Sequence, residues 1–241
     1  MNQLLESEPN FEECLRRRSI LLPEEIRRKI GAYFHSLHCA NAITNLTGYL
    51  SMEDYVDFHL LDTLTILKFV APFQGARMMD IGTGAGIPGI LIKILRPDLH
   101  ITMVESQRKK TDFLTSIITE LSLEGCKVMQ RRAEEVAHDV SHREKYDYAV
   151  ARAVGTFSLS LELTSGFVRP GGWIVLPRGG VDPILEAREE LFALLSCNLE
   201  KTIAYPIPRR DREFHLFFIQ KTKILLPKYP RKPGQIRKHP L

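Results

Sequence analysis

The amino-terminal third of the chain carries apolar residues at helical spacing. Residues 11–43 (FEECLRRRSILLPEEIRRKIGAYFHSLHCANAI) place apolar side chains three and four positions apart, with an interruption near Pro23. A second pattern of this kind, DYVDFHLLDTLTILKFV, begins at Asp54, and Pro72 then ends it. These patterns predict a helical amino-terminal cap over residues 1–72.

From Arg77 onward the pattern changes to short apolar runs typical of β-strands. Seven runs are predicted, at residues 77–81, 100–104, 126–130, 146–151, 172–177, 202–207 and 213–219. Helical segments separate or follow the first five, at 88–95, 107–121, 133–138, 157–168 and 182–196. The last two runs are joined by a short connection that contains Pro and no helix, which predicts an antiparallel hairpin at one end of the sheet.

Strands that alternate with helices form a mainly parallel sheet covered on both faces. The sequence therefore predicts an α/β fold, a doubly wound and mainly parallel seven-stranded sheet over residues 73–241, with the helices of 1–72 as an extension. In such sheets a ligand binds at the carboxyl ends of the strands, near the point where the strand order reverses.

Composition favours a globular protein of the cytoplasm. Hydrophobic residues make up 44% and charged residues 26% of the 241 positions, and no run of about 18 apolar residues predicts a membrane span. The amino terminus carries acids where a signal peptide has basic residues, and the four cysteines lack C-x-x-C spacing. The eight histidines include no pair with the spacing of metal ligands, so we expect neither a membrane partner nor a metal.

Positive charge is concentrated at the carboxyl end. The chain as a whole has a formal net charge of +4, but residues 201–241 hold eleven Lys/Arg and two Asp/Glu. Pro230, Pro233 and Gly234 should discourage a regular helix there. Such a segment predicts either a polyanion partner or a solvated tail, and we favour the polyanion. Its terminal bases are Lys228, Arg231, Lys232, Arg237 and Lys238.

A glycine-rich loop follows the first predicted strand, in the stretch MMDIGTGAGIPGI. Gly84, Gly86 and Gly89 match the G-x-G-x-x-G of a dinucleotide site. Asp80 precedes these glycines, and a carboxylate about 4 Å from a phosphate would cost roughly 4 kcal/mol before screening. The same carboxylate attracts an ammonium or a sulfonium, so the loop favours S-adenosylmethionine, with Gly82 and Gly84 beside it.

Two further strand ends suit a nucleoside ligand. Glu105 ends the second strand, where a carboxylate can accept hydrogen bonds from both ribose hydroxyls of either cofactor. Ala133 and Glu134 follow the third strand, where they could meet an adenine edge or simply begin a helix. The fourth strand leads into ARAVGTF, without the Asn/Asp-Pro-Pro-aromatic turn of amino methylation and without a cysteine for carbon-5 methylation. Attack by a ring nitrogen such as guanine N7, which needs no general base, remains open.

Several motifs in order resemble one family. They are NLT at 45–47, HLLDTL at 59–64, DIGTGAGIPG at 80–89, RAEE at 132–135, ARAV at 151–154 and RKPG at 231–234. Together they are similar to the RsmG (GidB) family of bacterial small-subunit rRNA guanine-N7 methyltransferases, from about residue 40 to the carboxyl terminus. The resemblance implies a Rossmann-like class I methyltransferase that uses S-adenosylmethionine and modifies the 530 loop of 16S rRNA, naked or within the small ribosomal subunit.

The resemblance also implies site residues. Its cofactor positions fall on Gly82, Ile87, Ala133, Glu134 and Arg152. We expect Arg152 to face the cofactor crevice as the catalytic residue and to serve turnover rather than folding. The substrate or RNA contacts implied are His59, Arg178, Arg231 and Lys232.

The chain departs from the family pattern at two site positions. Glu105 replaces the usual Asp, and Arg178 follows the fifth strand where Lys is usual. His59 lies one helical turn from Asp62, an arrangement that suits either a substrate contact or a packed helix start.

Two other functions compete with methylation of rRNA. A nicotinamide oxidoreductase would explain the glycines and Glu105 but would leave Asp80 and the basic end without a role. A non-enzymatic RNA-binding assembly factor would explain the charge but not a nucleoside pocket.

Overall fold

A single sheet of seven strands organises the molecule. The computed structural model describes residues 10–48, 51–179, 189–210 and 213–241. The strands lie in the order β3-β2-β1-β4-β5-β7-β6, and β7 alone runs antiparallel, between β5 and β6. Their bounds are β1 Arg77–Ile81, β2 His100–Glu105, β3 Cys126–Gln130, β4 Tyr146–Val150, β5 Val168–Gly179, β6 Cys197–Tyr205 and β7 Phe214–Lys221. The predicted α/β class, the mainly parallel sheet and the terminal hairpin are confirmed.

Ten α-helices and one π-helical turn surround the sheet in the described ranges. They are α1 Phe11–Arg17, α2 Glu24–Thr44, α3 Met52–Tyr55, the π-helical turn Val56–Leu60, α4 Leu61–Val70, α5 Gly89–Leu95, α6 Arg108–Glu120, α7 Ala133–Val136, α8 Phe157–Ser165, α9 Glu189–Leu194 and α10 Pro233–Lys238. Pro23 caps α2, which explains the predicted interruption. None of these helices is both long enough and apolar enough to cross a membrane.

The helices cover the two faces of the sheet with separate hydrophobic clusters. One cluster joins side chains of α2, such as Tyr33 and Leu37, to Leu91 of α5 and Met103 of β2. A second joins α7, α8 and α9 to the opposite face and takes in Tyr229 of the carboxyl-terminal segment. A third, smaller cluster joins α4 to β5, β6 and β7. The amino-terminal helices therefore share a core with the sheet. The division into a cap of residues 1–72 and a domain of residues 73–241 stays a prediction.

Two predictions about the later elements need correction. The strand predicted at 202–207 begins at Cys197, because the β6 ladder with β7 continues to Lys221 through a register shift near Leu199. The carboxyl-terminal segment was predicted to lack a regular helix, yet α10 forms there. Pro233 stands at the first helical turn, where its missing N–H costs no hydrogen bond. Of the helix predicted at 182–196, residues 182–188 lie outside the described part of the chain.

Candidate cofactor and substrate site

The glycine loop leaves β1 at the carboxyl edge of the sheet. Gly82 and Gly84 both have left-handed backbone, with φ of 62° and 61°. A Cβ on Gly82 would lie 2.8 Å from Cγ2 of Val154, whereas one on Gly84 would meet nothing within 4 Å. The main chain at Gly84 therefore borders open space that a ligand can fill, and Gly82 fits only without a side chain.

Asp80 organises this loop from beneath. One carboxylate oxygen, Oδ2, accepts hydrogen bonds from the Thr83 hydroxyl at 2.6 Å and the Gly89 N–H at 2.9 Å. The other, Oδ1, is buried and has no hydrogen-bond partner among the described residues. Burial raises the pKa of Asp80 to about 6. The sequence pattern predicts that this carboxylate faces a cation, and the structure gives it the additional role of holding the loop.

Tyr33 connects the amino-terminal helices to the same loop. Its buried hydroxyl donates to the carbonyl of Ala85 at 2.7 Å, and burial raises the pKa of Tyr33 well above its usual range. A single tyrosine in an amphipathic helix gives no sequence signal of this contact. The α2 helix therefore supports the glycine loop directly.

Glu105 lies beside the loop as predicted. Its two carboxylate oxygens accept the N–H of Gly84 at 3.1 Å and the N–H of Gln107 at 2.8 Å. Each oxygen keeps a second lone pair, so the carboxylate can still accept hydrogen bonds from hydroxyl groups. At the next strand end Ala133 is buried and Glu134 is half-buried at the start of α7.

The loop and its neighbours fit S-adenosylmethionine better than a pyrophosphate. Residues 80–90 contain no Lys or Arg, while Asp80 and Glu105 both direct carboxylates to this region. A phosphate-bearing ligand would meet repulsion there, and a cationic one would meet attraction. Within the described ranges, no group of three or more His, Cys, Asp or Glu could hold a metal ion.

Arg152, predicted to face the cofactor crevice, pairs with the amino-terminal helices and is close enough to Asp80 to oppose the rise in the pKa of that carboxyl. It follows β4, but its Nε lies 2.8 Å from Oδ2 of Asp62 and its NH2 donates to the carbonyl of Phe58 at 2.6 Å. A third hydrogen bond, of 2.8 Å, joins NH1 to Nδ1 of His59. The guanidinium compensates a buried carboxylate and joins the amino-terminal helices to the end of β4. The expected role of Arg152 in turnover stays a prediction, and this ion pair adds a structural role.

His59 and Asp62 thus meet the same arginine. Because Arg152 donates to Nδ1, the neutral imidazole of His59 carries its proton on Nε2. Burial and Arg152 lower the pKa of His59 to about 3, so the ring stays neutral. Nε2 is buried without a hydrogen-bond partner in the described part of the chain. Asp62 also accepts the hydroxyl of Tyr205 from β6, and burial raises the pKa of Asp62.

Arg178 lies at the same edge, at the end of β5. It pairs in register with His215 of β7, and its NH1 donates to the carbonyl of Gly155 at 2.9 Å. It is half-buried. Arg178 therefore contacts the segment that follows β4, which also contains Arg152.

Arg231, predicted as an RNA contact, forms an ion pair within the fold. Its Nε and NH2 bind the two carboxylate oxygens of Glu162 on α8, each at 2.8 Å, and NH1 donates to the carbonyl of His239. Glu162 is almost completely buried and needs this partner. Lys232 is exposed, and the side chain of Arg237 lies outside the described residues.

Other bases of the carboxyl-terminal region are also committed to internal pairs. Lys221 is fully buried and donates to Glu144 at 2.9 Å. Arg143 donates to the carbonyls of Leu225 and Tyr229, fastening the segment beyond β7 to the sheet domain. The charge of residues 201–241 therefore overstates what is available to a polyanion.

Comparison with known proteins places these features in one family. The family model described as "rRNA small subunit methyltransferase G" (GidB) matches residues 26–208. The ribosomal RNA small subunit methyltransferase G of Clostridium botulinum is 37% identical over 202 residues, 83% of this chain and 84% of that protein. The protein of the same name from Leuconostoc mesenteroides is 32% identical and covers 96% of this chain and 98% of its own length.

Solved structures support the fold. A SAM-dependent methyltransferase from Geobacter sulfurreducens, crystallised with S-adenosyl-L-homocysteine, superposes with a TM-score of 0.52 at 12% identity, over 78% of this chain and 98% of that one. The YcgJ protein from Bacillus subtilis gives a TM-score of 0.54 at 12% identity, over 68% of this chain and 100% of its own. The sheet order, the glycine loop and the sequence match agree, and the chain belongs to the rRNA small subunit methyltransferase G family.

Proposed function

We propose that the protein uses S-adenosylmethionine to methylate N7 of a guanine in the 530 loop of 16S rRNA, in the cytoplasm. The observation that carries the proposal is the open, left-handed loop at Gly82 and Gly84 beside the Glu105 carboxylate, in a chain of this family. S-adenosylmethionine supplies the methyl group when it is bound.

Several residues in and around the glycine loop would each contact a different part of the cofactor. Glu105 accepts hydrogen bonds from the ribose hydroxyls, and the open space at the main chain of Gly84 gives the ligand room to approach. Ala133 and Glu134 border the adenine, and Ile87 offers half-buried apolar surface from the loop. Asp80 contributes a negative field from beneath the loop, because its second oxygen is not neutralised by a hydrogen bond in the described residues.

The proposed chemistry needs positioning more than proton transfer. Guanine N7 has an unshared electron pair in the plane of the base, so no proton leaves it before it attacks the methyl carbon. Fixing the base and the methyl group in line lowers the barrier by removing the entropy of alignment. His59 stays neutral through the accessible pH range and is therefore suited to a hydrogen-bonding role rather than to acid–base catalysis.

Arg152 acts in this proposal as a positioning residue. Through Phe58, His59 and Asp62 it holds the π-helical turn and α4 against the end of β4. Arg178 and Lys232 supply positive charge for the RNA backbone, which positions the substrate without reading a base.

Ligand-induced melting and methyl transfer test the proposal together. Adenosylhomocysteine should raise the melting temperature, and NADH should not, since only a ligand of the folded protein stabilises it. Purified protein with methyl-labelled S-adenosylmethionine should label 16S rRNA, and parallel reactions with naked rRNA and with small subunits identify the substrate form. Stabilisation by NADH alone, with no labelling of either substrate, would overturn the assignment.

A further inference from the structure

The connection between β6 and β7 lies at the edge of the sheet that holds the site. β6 runs parallel to β5, so its carboxyl end at Tyr205 shares the edge where β1 and β4 end. The hydroxyl of Tyr205 bonds Asp62, the carboxylate that Arg152 also contacts. The residues just beyond Tyr205 are therefore neighbours of the cofactor and substrate site.

Arg209 fixes this connection to the amino-terminal helices. Its guanidinium reaches three carboxylates, with distances of 3.1 Å to Glu53, 2.8 Å to Asp54 and 2.9 Å to Asp57. Asp57 is fully buried and is also paired with Arg18. An arginine with so many acidic partners serves structure, and it gives the following residue a defined location.

Arg210 is arranged differently. Its guanidinium lies 3.9 Å from the ring centroid of Phe58, and the side chain is exposed. Within the described ranges no carboxylate forms an ion pair with it. Stacking on an aromatic ring holds a guanidinium flat and leaves its N–H edge free for an anion, at little further cost in side-chain entropy.

Phe58 connects Arg210 to the site itself. Its carbonyl accepts the hydrogen bond from Arg152, and the next residue in the chain is His59. Arg210 raises local positive potential enough to contribute to the lowered pKa of His59. An anion bound by Arg210 would therefore lie close to the site where the target guanine meets the cofactor.

We propose that Arg210, held by Phe58, binds a backbone phosphate of the RNA close to the target guanine. The proposal rests on the proposed function, because it takes the substrate to be RNA. A phosphodiester fits better than a carboxylate of a protein partner, since Arg178 at the end of the neighbouring β5 adds positive charge along the same edge and a nucleic acid presents a row of anions. Each phosphate that a base neutralises releases counterions and so steepens the salt dependence of binding.

The test compares Arg210→Gln with a matched control, Lys201→Gln. Lys201 is an exposed base on β6 whose ammonium also stacks on an aromatic ring, 4.6 Å from the centroid of Phe218, but it lies within the strand and away from the site edge. Affinity for a 16S rRNA fragment is measured over a series of salt concentrations, with KM and kcat for methyl transfer and the affinity for adenosylhomocysteine. Arg210→Gln should lower the log–log salt slope by about 0.7–0.9 and raise KM for RNA severalfold. It should leave adenosylhomocysteine affinity unchanged.

Arg210→Lys gives a second, graded readout. It keeps the charge but loses the flat guanidinium on Phe58, so it should restore the salt slope while recovering KM only in part. Lys201→Gln should match the wild type in both quantities.

The outcomes separate this proposal from the proposed function. An unchanged salt slope and KM in Arg210→Gln, with methylation intact in the wild type, would overturn the role of Arg210 and leave the methyltransferase standing. If Arg210→Gln weakened binding only to assembled small subunits and left binding to naked rRNA unchanged, Arg210 would contact a ribosomal protein. That result would also overturn the proposed phosphate contact. Absence of methylation by the wild type, with the expected change in salt slope, would instead overturn the enzyme assignment.

Discussion

Removal of the Arg152 side chain should destabilise the protein as well as reduce its activity. Arg152 and Asp62 lie 2.8 Å apart, and their side chains are 21% and 3% exposed, so Arg152→Ala leaves a buried carboxylate without its cation. Breaking a buried ion pair in this way costs about 3–5 kcal/mol. The hydrogen bond from Tyr205 to Asp62 persists and offsets part of the loss. We expect a net cost of roughly 2–4 kcal/mol, which corresponds to a fall in Tm of about 4–16 °C for a chain of this length.

The control for this prediction is Arg169→Ala. Arg169 also pairs with an aspartate, Asp147, at 2.8 Å, but its side chain is 47% exposed. An exposed pair contributes about 0–1 kcal/mol, so Arg169→Ala should melt within about 4 °C of the wild type. The comparison separates burial of the pair from loss of an arginine.

The double variant and the pH dependence identify the cause. Adding Asp62→Asn to Arg152→Ala should recover part of the lost stability, because the unpaired charge is then absent. Burial raises the pKa of Asp62 even with Arg152 present, and removing the cation should raise it further. The extra cost of Arg152→Ala should therefore be present at neutral pH and shrink as pH falls through that raised pKa. Chemical and thermal denaturation measure these quantities, and an Arg152→Ala protein as stable as Arg169→Ala at every pH would refute the reasoning.

Three further predictions concern binding. Burial raises the pKa of Asp80 to about 6, so the affinity for S-adenosylmethionine, measured by calorimetry, should fall as pH drops below that value. Asp80→Asn should abolish this pH dependence. Equal pH profiles for the variant and the wild type would contradict the proposal that the Asp80 charge attracts the cofactor. Gly82→Val should lose cofactor affinity in a folded protein, because an added Cβ would lie 2.8 Å from Val154 and the backbone φ is 62°, and wild-type affinity would remove the loop from the site. Replacing exposed tail bases with Gln should flatten the salt slope of rRNA binding by about 0.7–0.9 for each phosphate that is no longer neutralised, and an unaltered slope would make the tail a solvated segment. The bases are Lys228, Lys232 and Lys238.

The sheet and the glycine loop could be predicted because their determinants are contiguous in sequence. The residues of β1 and β3 were predicted with their observed bounds, since each is a short run in which polar and apolar residues are mixed and which ends before a glycine or an arginine pair. Glu105 was found because parallel strands bring their carboxyl ends to one edge, so a strand end alone implies proximity to the loop.

The contacts between distant elements could not be predicted. Tyr33 meets Ala85, 52 positions away, and Arg209 meets Asp57, 152 positions away. Periodicity shows which face of a helix is buried, but it does not show which element covers that face. The ion pair of Arg152 with Asp62 was not predicted for this reason, because a single sequence gives no sign that the π-helical turn before α4 packs on the end of β4.

The basic carboxyl end shows the same limit for charge. Counting Lys and Arg treats every base as exposed, whereas Arg231 and Lys221 compensate the acids Glu162 and Glu144 inside the fold. Glu162 lies in a predicted helix and Glu144 in a connection between predicted elements, and neither pattern indicates that the acid is paired with the carboxyl end. The sequence therefore shows that this segment is positively charged, but it does not show which of its bases are exposed to a partner.

Mapping of methylated guanines in 16S rRNA is the most direct test of the proposal that the protein methylates a guanine of the 530 loop. The rRNA is taken from cells with the gene, without it, and without it but supplied with the wild-type or the Gly82→Val protein. We expect one N7-methylguanine, in the 530 loop, that disappears with the gene and returns with the wild-type protein but not with Gly82→Val. An identical methylation pattern in all four samples would contradict it.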